Sequence, residues 1–233
     1  MKIKYAFMML AFAGLLWSCG SGGNSEQAAT EAPETTEEST QEVAAEEGSE
    51  DVLNPNLASK EQLMTVAGLN EAQVDQIIAG RPHLNGAVFA KWIKDMVSEE
   101  DYEATASRVF LPMNLNTTDE DDFKLVPGVG NKMAHEFEEY RPYTSVEQFR
   151  REIGKYVDEA QVLDYEQFVF VPLNLNTTPE EQFKMIPGVG DKMAHEFEEY
   201  RPYSSMEQFR REIGKYVDEN EVARLERFVT LGE

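Results

Sequence analysis

Cysteine is almost missing from this 233-residue sequence, and Cys19 is the only one. A single thiol excludes a disulfide framework and a cysteine zinc site. Basic residues are scarce: 21 face 44 acids, for a formal charge of −23. A nucleic-acid duplex is repelled at long range by such a chain, which argues against a general polyanion binder. Past residue 20 no apolar run is long enough to span a bilayer. No segment sustains polar–apolar alternation, so an all-α chain is expected. No nucleophile is paired with a base; the serines and threonines read as helix caps and linker residues, so no enzyme is expected. His83, His135 and His195 are isolated and make no ligand spacing, so neither a metal nor a cofactor is expected.

What is present begins with a signal. Met1-Lys2-Ile3-Lys4 is a short basic start, and Tyr5 to Trp17 is an apolar run too short for an ordinary transmembrane helix. Leu16-Trp17-Ser18-Cys19 then resembles the bacterial lipobox. That resemblance implies removal of residues 1–18 as a lipoprotein signal peptide, lipid on Cys19, and attachment of the chain to a membrane of the bacterial cell envelope, at its periplasmic face or cell surface. The alternative is an ordinary secretory signal with an incidental Cys19. Residues 19–52 read as a disordered acidic linker. Between Gly20 and Asp51 lie ten acids and no Lys, Arg or aromatic residue. Such a stretch buries too little apolar area to offset chain entropy, and its like charges extend it. The spacing of the acids matches no calcium loop.

From residue 53 the chain repeats with a 60-residue period. Asn54, Asn114 and Asn174 align, as do Gly68, Gly128 and Gly188, Arg81-Pro82, Arg141-Pro142 and Arg201-Pro202, and Phe89, Phe149 and Phe209. The units are 53–113, 114–173 and 174–233, and each reads as four short helices. In the third, Thr178 is expected to cap a helix with Pro179 at its first position and Phe183 and Ile186 on its apolar face. Met193, Ala194, Phe197 and Tyr200 recur at helical spacing on a second helix that Pro202 ends. Ser204 or Ser205 caps a third helix, and Asp218 a fourth. Between the first two helices stands Pro187-Gly188-Val189-Gly190, copied as Pro127-Gly128-Val129-Gly130. Glycine suits a turn that needs φ > 0 and leaves no room for Cβ. The second glycine starts the next helix with free backbone N–H groups, and the helix dipole makes these a small phosphate site. A tight αα-turn with no ligand is the other reading. Gly214-Lys215-Tyr216-Val217 is a second, looser turn.

Asn174-Leu175-Asn176-Thr177, then Pro187-Gly188-Val189-Gly190, Lys192, Ala194, Tyr200-Arg201 and Phe209 together resemble the helix-hairpin-helix DNA-binding domain of the ComEA family of bacterial competence proteins. Units two and three carry the resemblance nearly end to end, and unit one carries it weakly. It implies tandem helix-hairpin-helix units, small helical domains of the SAM-like, RuvA domain 2-like kind. It implies binding of double-stranded DNA without sequence preference by an exported or membrane-anchored protein, during DNA uptake. Carried over by position, the phosphate-facing groups are the amides near Gly128, Val129, Gly130, Gly188, Val189 and Gly190. Lys132 and Lys192 stand beside the turn, and Lys155 and Lys215 on the looser one, near Arg150-Arg151 and Arg210-Arg211.

Three departures oppose this. The second helix is acidic, with Glu136, Glu138, Glu139 and Glu196, Glu198, Glu199. Asp191 follows the third turn directly. Unit one reads Ala67-Gly68-Leu69-Asn70, with Ala72 in place of the lysine, so a turn with Asn70 in the left-handed region is expected without its anion site. The units carry −3, −7 and −5, whereas DNA-binding domains are typically basic. Two functions follow: a membrane-tethered DNA-binding module, or a non-enzymatic envelope protein that binds another protein through the same repeats.

Overall fold

The structure is a computed structural model and describes residues 52–232. The expected signal peptide, the lipidation of Cys19 and the expected linker up to residue 51 lie outside the described residues. Among the described residues the chain is predominantly helical. Residues 53–113 hold α1 (Lys60–Leu63), α2 (Glu71–Ala79), α3 (Gly86–Met96) and α4 (Glu99–Ala106). Residues 114–173 hold α5 (Glu120–Phe123), α6 (Asn131–Glu139), α7 (Val146–Ile153) and α8 (Glu159–Glu166). Residues 174–232 hold α9 (Glu180–Phe183), α10 (Asp191–Glu199), α11 (Met206–Ile213) and α12 (Glu219–Glu226).

The all-α expectation needs one amendment. Two short parallel pairs are present, β1 (Met113–Asn114) with β2 (Val169–Phe170), and β3 (Leu173–Asn174) with β4 (Val229–Thr230). A single bridge, Leu53 with Val109, takes the same place in the first unit. Each pairing joins the entry of a unit to its exit. Two residues are too few for alternation to show in the sequence.

Capping explains most helix starts. The Ser205 hydroxyl accepts from the Gln208 amide at 3.3 Å, and the Asp218 carboxylate from the Glu221 amide at 2.9 Å. The first helix of the third unit departs from expectation. It begins one residue late, with Pro179 at the N-cap and no side-chain cap. Thr178 is buried, and its carbonyl accepts from the Arg201 guanidinium instead.

The apolar positions meet as edge-to-face phenyl stacks. Phe183, Phe197 and Phe209 stand 5.2 and 5.3 Å apart, and Phe123, Phe137 and Phe149 stand 5.4 and 5.1 Å apart. All six rings are fully buried, each contributing about 1.5–3 kcal/mol. Leu63, Ile77 and Phe89 fill the corresponding places in the first unit.

Polar clamps repeat as regularly. The Asn116 amide donates to the Tyr143 carbonyl at 2.8 Å, and its oxygen accepts from the Tyr143 amide at 2.7 Å. Asn56 grips His83 and Asn176 grips Tyr203 in the same way. Arg141 donates through Nε to the Leu115 carbonyl (2.5 Å) and through a terminal nitrogen to that of Thr118, with its guanidinium 5.4 Å from the Phe123 ring centre. Arg201 repeats this with Leu175, Thr178 and Phe183. Neighbouring units share their cores: Phe110 meets Phe168 edge-to-face at 5.2 Å, and the Tyr102 hydroxyl donates to the Leu125 carbonyl at 2.8 Å. Arg227 crosses Phe170 and Phe228 to reach the Pro112 carbonyl at 2.7 Å.

Candidate nucleic-acid interface

The two glycines of each Pro-Gly-Val-Gly turn do different things. Gly128 and Gly188 have φ of +74° and +82°, a region that disfavours any side chain. Gly68 matches them at +88°. Gly130 and Gly190 lie at φ −92° and −98°, where every residue is comfortable. A Cβ built on either would meet nothing within 4 Å. The expectation of positive φ and crowding therefore holds for the torsion of the first glycine and not for the second.

Gly130 and Gly190 are the N-caps of α6 and α10, and no side chain caps either helix. The other helices of eight residues or more among those described are capped by Asn70, Asn85, Ser98, Ser145, Asp158, Ser205 and Asp218. At α6 and α10 the first-turn amides and the positive end of the dipole therefore face outward. In the first unit Asn70 stands in place of the second glycine. It is not left-handed, as the sequence suggested. It is extended at φ −105° and forms a capping box with Gln73. Its own oxygen occupies the place an anion would take.

Val129 and Val189 correct the expected amide set. Their N–H groups donate to the Val126 and Ile186 carbonyls, both at 3.0 Å, and their side chains are buried. They anchor the turn and present no amide outward. The turn carbonyls are held from the fourth helix: Tyr165 donates to Gly128 at 3.1 Å, Arg224 to Pro187 at 2.6 Å, and Thr105 to Ala67 at 2.9 Å.

The expected cations differ in availability. Lys192 is exposed and lines a cavity of about 360 Å³ beside Gly190, with Asp191, Met193, Glu196 and Tyr216. Lys132 is exposed, with its ammonium 5.2 Å from the Tyr156 ring centre. Lys155 is paired with Glu152 and stacked on Tyr140 at 4.8 Å; Lys215 is paired with Glu212 and stacked on Tyr200 at 4.6 Å. These carboxylates hold both ammonium groups above their usual pKa. Exposed pairs of this kind contribute little and part readily. Arg150 and Arg210 are bound more firmly. Each grips one carboxylate with two nitrogens, Glu166 at 2.7 and 2.6 Å, and Glu226 at 2.7 and 2.5 Å. They staple the third helix of a unit to its fourth.

Asp191, the residue that most opposes a phosphate, lies 2.5 Å from Lys184, which also holds Glu181 at 2.7 Å. These partners push the Lys184 pKa up, the Asp191 bond foremost. The histidines have separate roles. His135 bonds Glu120 at 3.0 Å and His195 bonds Glu180 at 3.2 Å, each joining the two helices that flank the turn. These bonds raise both imidazoles above their ordinary pKa. His83 is a half-buried residue in the place of Tyr143 and Tyr203. It packs on Phe89 and Trp92, and burial lowers its pKa.

Two residues of this region gave no signal in the sequence. Glu136 and Glu196 look like two more acids on a solvated helix face. Both are buried, at 8% exposure, and each keeps an Oε2 with no hydrogen-bond partner.

Compared with protein-family models, with curated proteins and with solved structures, the chain matches none.

Proposed function

We propose that residues 53–233 are tandem helix-hairpin-helix units that bind double-stranded DNA without sequence preference, borne by a lipoprotein tethered to the bacterial envelope through Cys19. DNA uptake is the setting the family resemblance suggests, and no catalysis is assigned. The observation that carries this is the second glycine. At Gly130 and Gly190 the fold needs no glycine, since φ is negative and a Cβ has open space. A bare N-cap does allow a phosphate to approach the first-turn amides closely. Lys132 and Lys192 stand two residues further on.

A second reading, a protein partner in the envelope, is favoured by charge. The three units together carry −15, and Lys155 and Lys215 already have carboxylate partners. The two readings part in a salt series. If each of two turns engages about two phosphates, the logarithmic salt slope is about −3 to −4. Fluorescence anisotropy with the full chain and a labelled duplex, starting near ~20 mM salt, where the Debye length is about 20 Å, measures it. Lys132→Glu with Lys192→Glu should abolish binding with helicity intact. No binding at low salt, or binding indifferent to the double reversal, leaves the protein-partner reading.

A further inference from the structure

The cavity beside Gly190 has more chemistry than phosphate binding uses. One wall is the uncapped start of α10 with the Lys192 ammonium. Glu196, one turn further along the same helix, also lines the cavity, more than nine-tenths buried and with an Oε2 that has no partner. Tyr216 also lines it, 40% exposed, its hydroxyl bonded at 2.7 Å to that of Tyr200 and also set against the Glu196 carboxyl, which leaves Oε2 as the oxygen without a donor. A buried carboxylate oxygen without a donor is costly and asks for an N–H from a ligand. About 360 Å³ lies at the small end of the range that small ligands fill.

The internal repeats supply a comparison. Unit two has the same set: Gly130, Lys132, Met133, Glu136 and Tyr156, and the Glu136 Oε2 is orphaned in the same way. Tyr140 and Tyr156 share a 2.7 Å bond there too. Unit one, whose helix start Asn70 fills, has Ala72, Gln73, Gln76 and Met96 at these positions. Where the bare turn is lost, the lysine, the acid and the aromatic are lost with it. The acid and the ring therefore belong with the turn rather than with the fold, which unit one keeps without them.

We propose that each of these sites, in units two and three, takes one unpaired nucleotide: its phosphate on the first-turn amides, its base stacked on Tyr156 or Tyr216, and its edge donating to Glu136 or Glu196. Guanine fits this acceptor best, since its ring N–H and exocyclic amine are adjacent donors that a carboxylate receives as a pair. Stacking on an aromatic face contributes to binding of any unpaired base. The Glu196 Oε2 is closed to solvent, so on this proposal the Tyr216 side chain has to move aside to admit the base edge. Strand ends and frayed duplex would then be held more tightly than intact duplex.

This inference rests on the nucleic-acid reading above, and the test separates the two. Anisotropy of the full chain is measured at low salt with three labelled duplexes of one sequence: blunt, with a 3′ guanosine overhang, and with a 3′ inosine overhang, which lacks the exocyclic amine. The guanosine overhang should bind at least about fivefold more tightly than the blunt end, with inosine between. Glu136→Gln with Glu196→Gln should erase the difference between guanosine and inosine, with helicity unchanged. Blunt and overhang duplexes bound alike would overturn the pocket and leave duplex binding standing. A guanosine preference that survives the double variant overturns it too. If none of the three duplexes binds, the pocket and the nucleic-acid reading fall together.

Discussion

Gly128 and Gly130 are two residues apart and constrained by unrelated physics. Gly128 is fixed by torsion, since an L side chain at φ +74° is strained by about 1–2 kcal/mol. Gly128→Ala should lower the urea midpoint accordingly, whereas Gly130→Asn should leave it level or raise it by a few tenths of a kcal/mol, because asparagine is a better N-cap. Equilibrium unfolding followed by circular dichroism distinguishes the two. Arg201 is also a structural residue. Arg201→Leu leaves the Leu175 and Thr178 carbonyls without their donor and removes the stack on Phe183, and should cost about 1–3 kcal/mol in the same assay. Sequence reasoning recognised Asn176 and Arg201 as parts of a signature but not as clamps. Their partners lie 27 and 26 residues away, and no local rule of spacing reaches that far. Gly188 was legible because a left-handed turn has a compositional mark. Glu196 was not, because burial of an acid depends on residues distant in sequence, here Tyr216 in the turn after α11.

At the scale of the element, helix starts were the most legible feature. Ser205 and Asp218 cap as a local hydrogen-bonding rule requires. Helix lengths were less legible: α9 has a single turn, as do α1 and α5, whether the N-cap is Pro179, Ser59 or Asp119. The flanking helices of each bare turn are tied by a histidine, and this makes their stability depend on pH. The Glu120 and Glu180 bonds raise His135 and His195 in the folded state above their unfolded value. The stabilisation is therefore complete below the unfolded pKa of about 6.5 and fades as pH rises through the higher folded value. The urea midpoint should fall between about pH 7 and pH 8, above the range in which His83, lowered by burial, adds stability as pH rises, and His135→Gln with His195→Gln should flatten that fall. A midpoint that rises over this interval in the unaltered chain would contradict the assignment.

For the whole molecule, the packing between units was invisible in the sequence, since periodicity reports each unit and not its neighbours. Arg227 illustrates this. Two of its nitrogens have no partner, its third reaches Pro112, and burial lowers its pKa to about 10. Arg227→Met keeps an apolar stem over Phe170 and Phe228 and removes an ill-paired charge, so stability should hold within about 1 kcal/mol or rise. Arg227→Ala also loses the packing and should lower the urea midpoint. Charge acts at this scale as well. Duplex association works against −15 and should be weak and sensitive to salt. Asp191→Lys replaces an anion at the dipole-positive end of α10 and should strengthen it.

The most direct test makes units two and three resemble unit one. Asn70 fills the helix start there with its own oxygen, and Gly130→Asn with Gly190→Asn should do the same where a Cβ meets nothing. Thermal unfolding and duplex anisotropy near ~20 mM salt are measured on the same double variant. An unchanged or raised melting midpoint together with lost duplex binding is the predicted result. Duplex binding at full strength with both helix starts capped would contradict the assignment of these turns as phosphate sites.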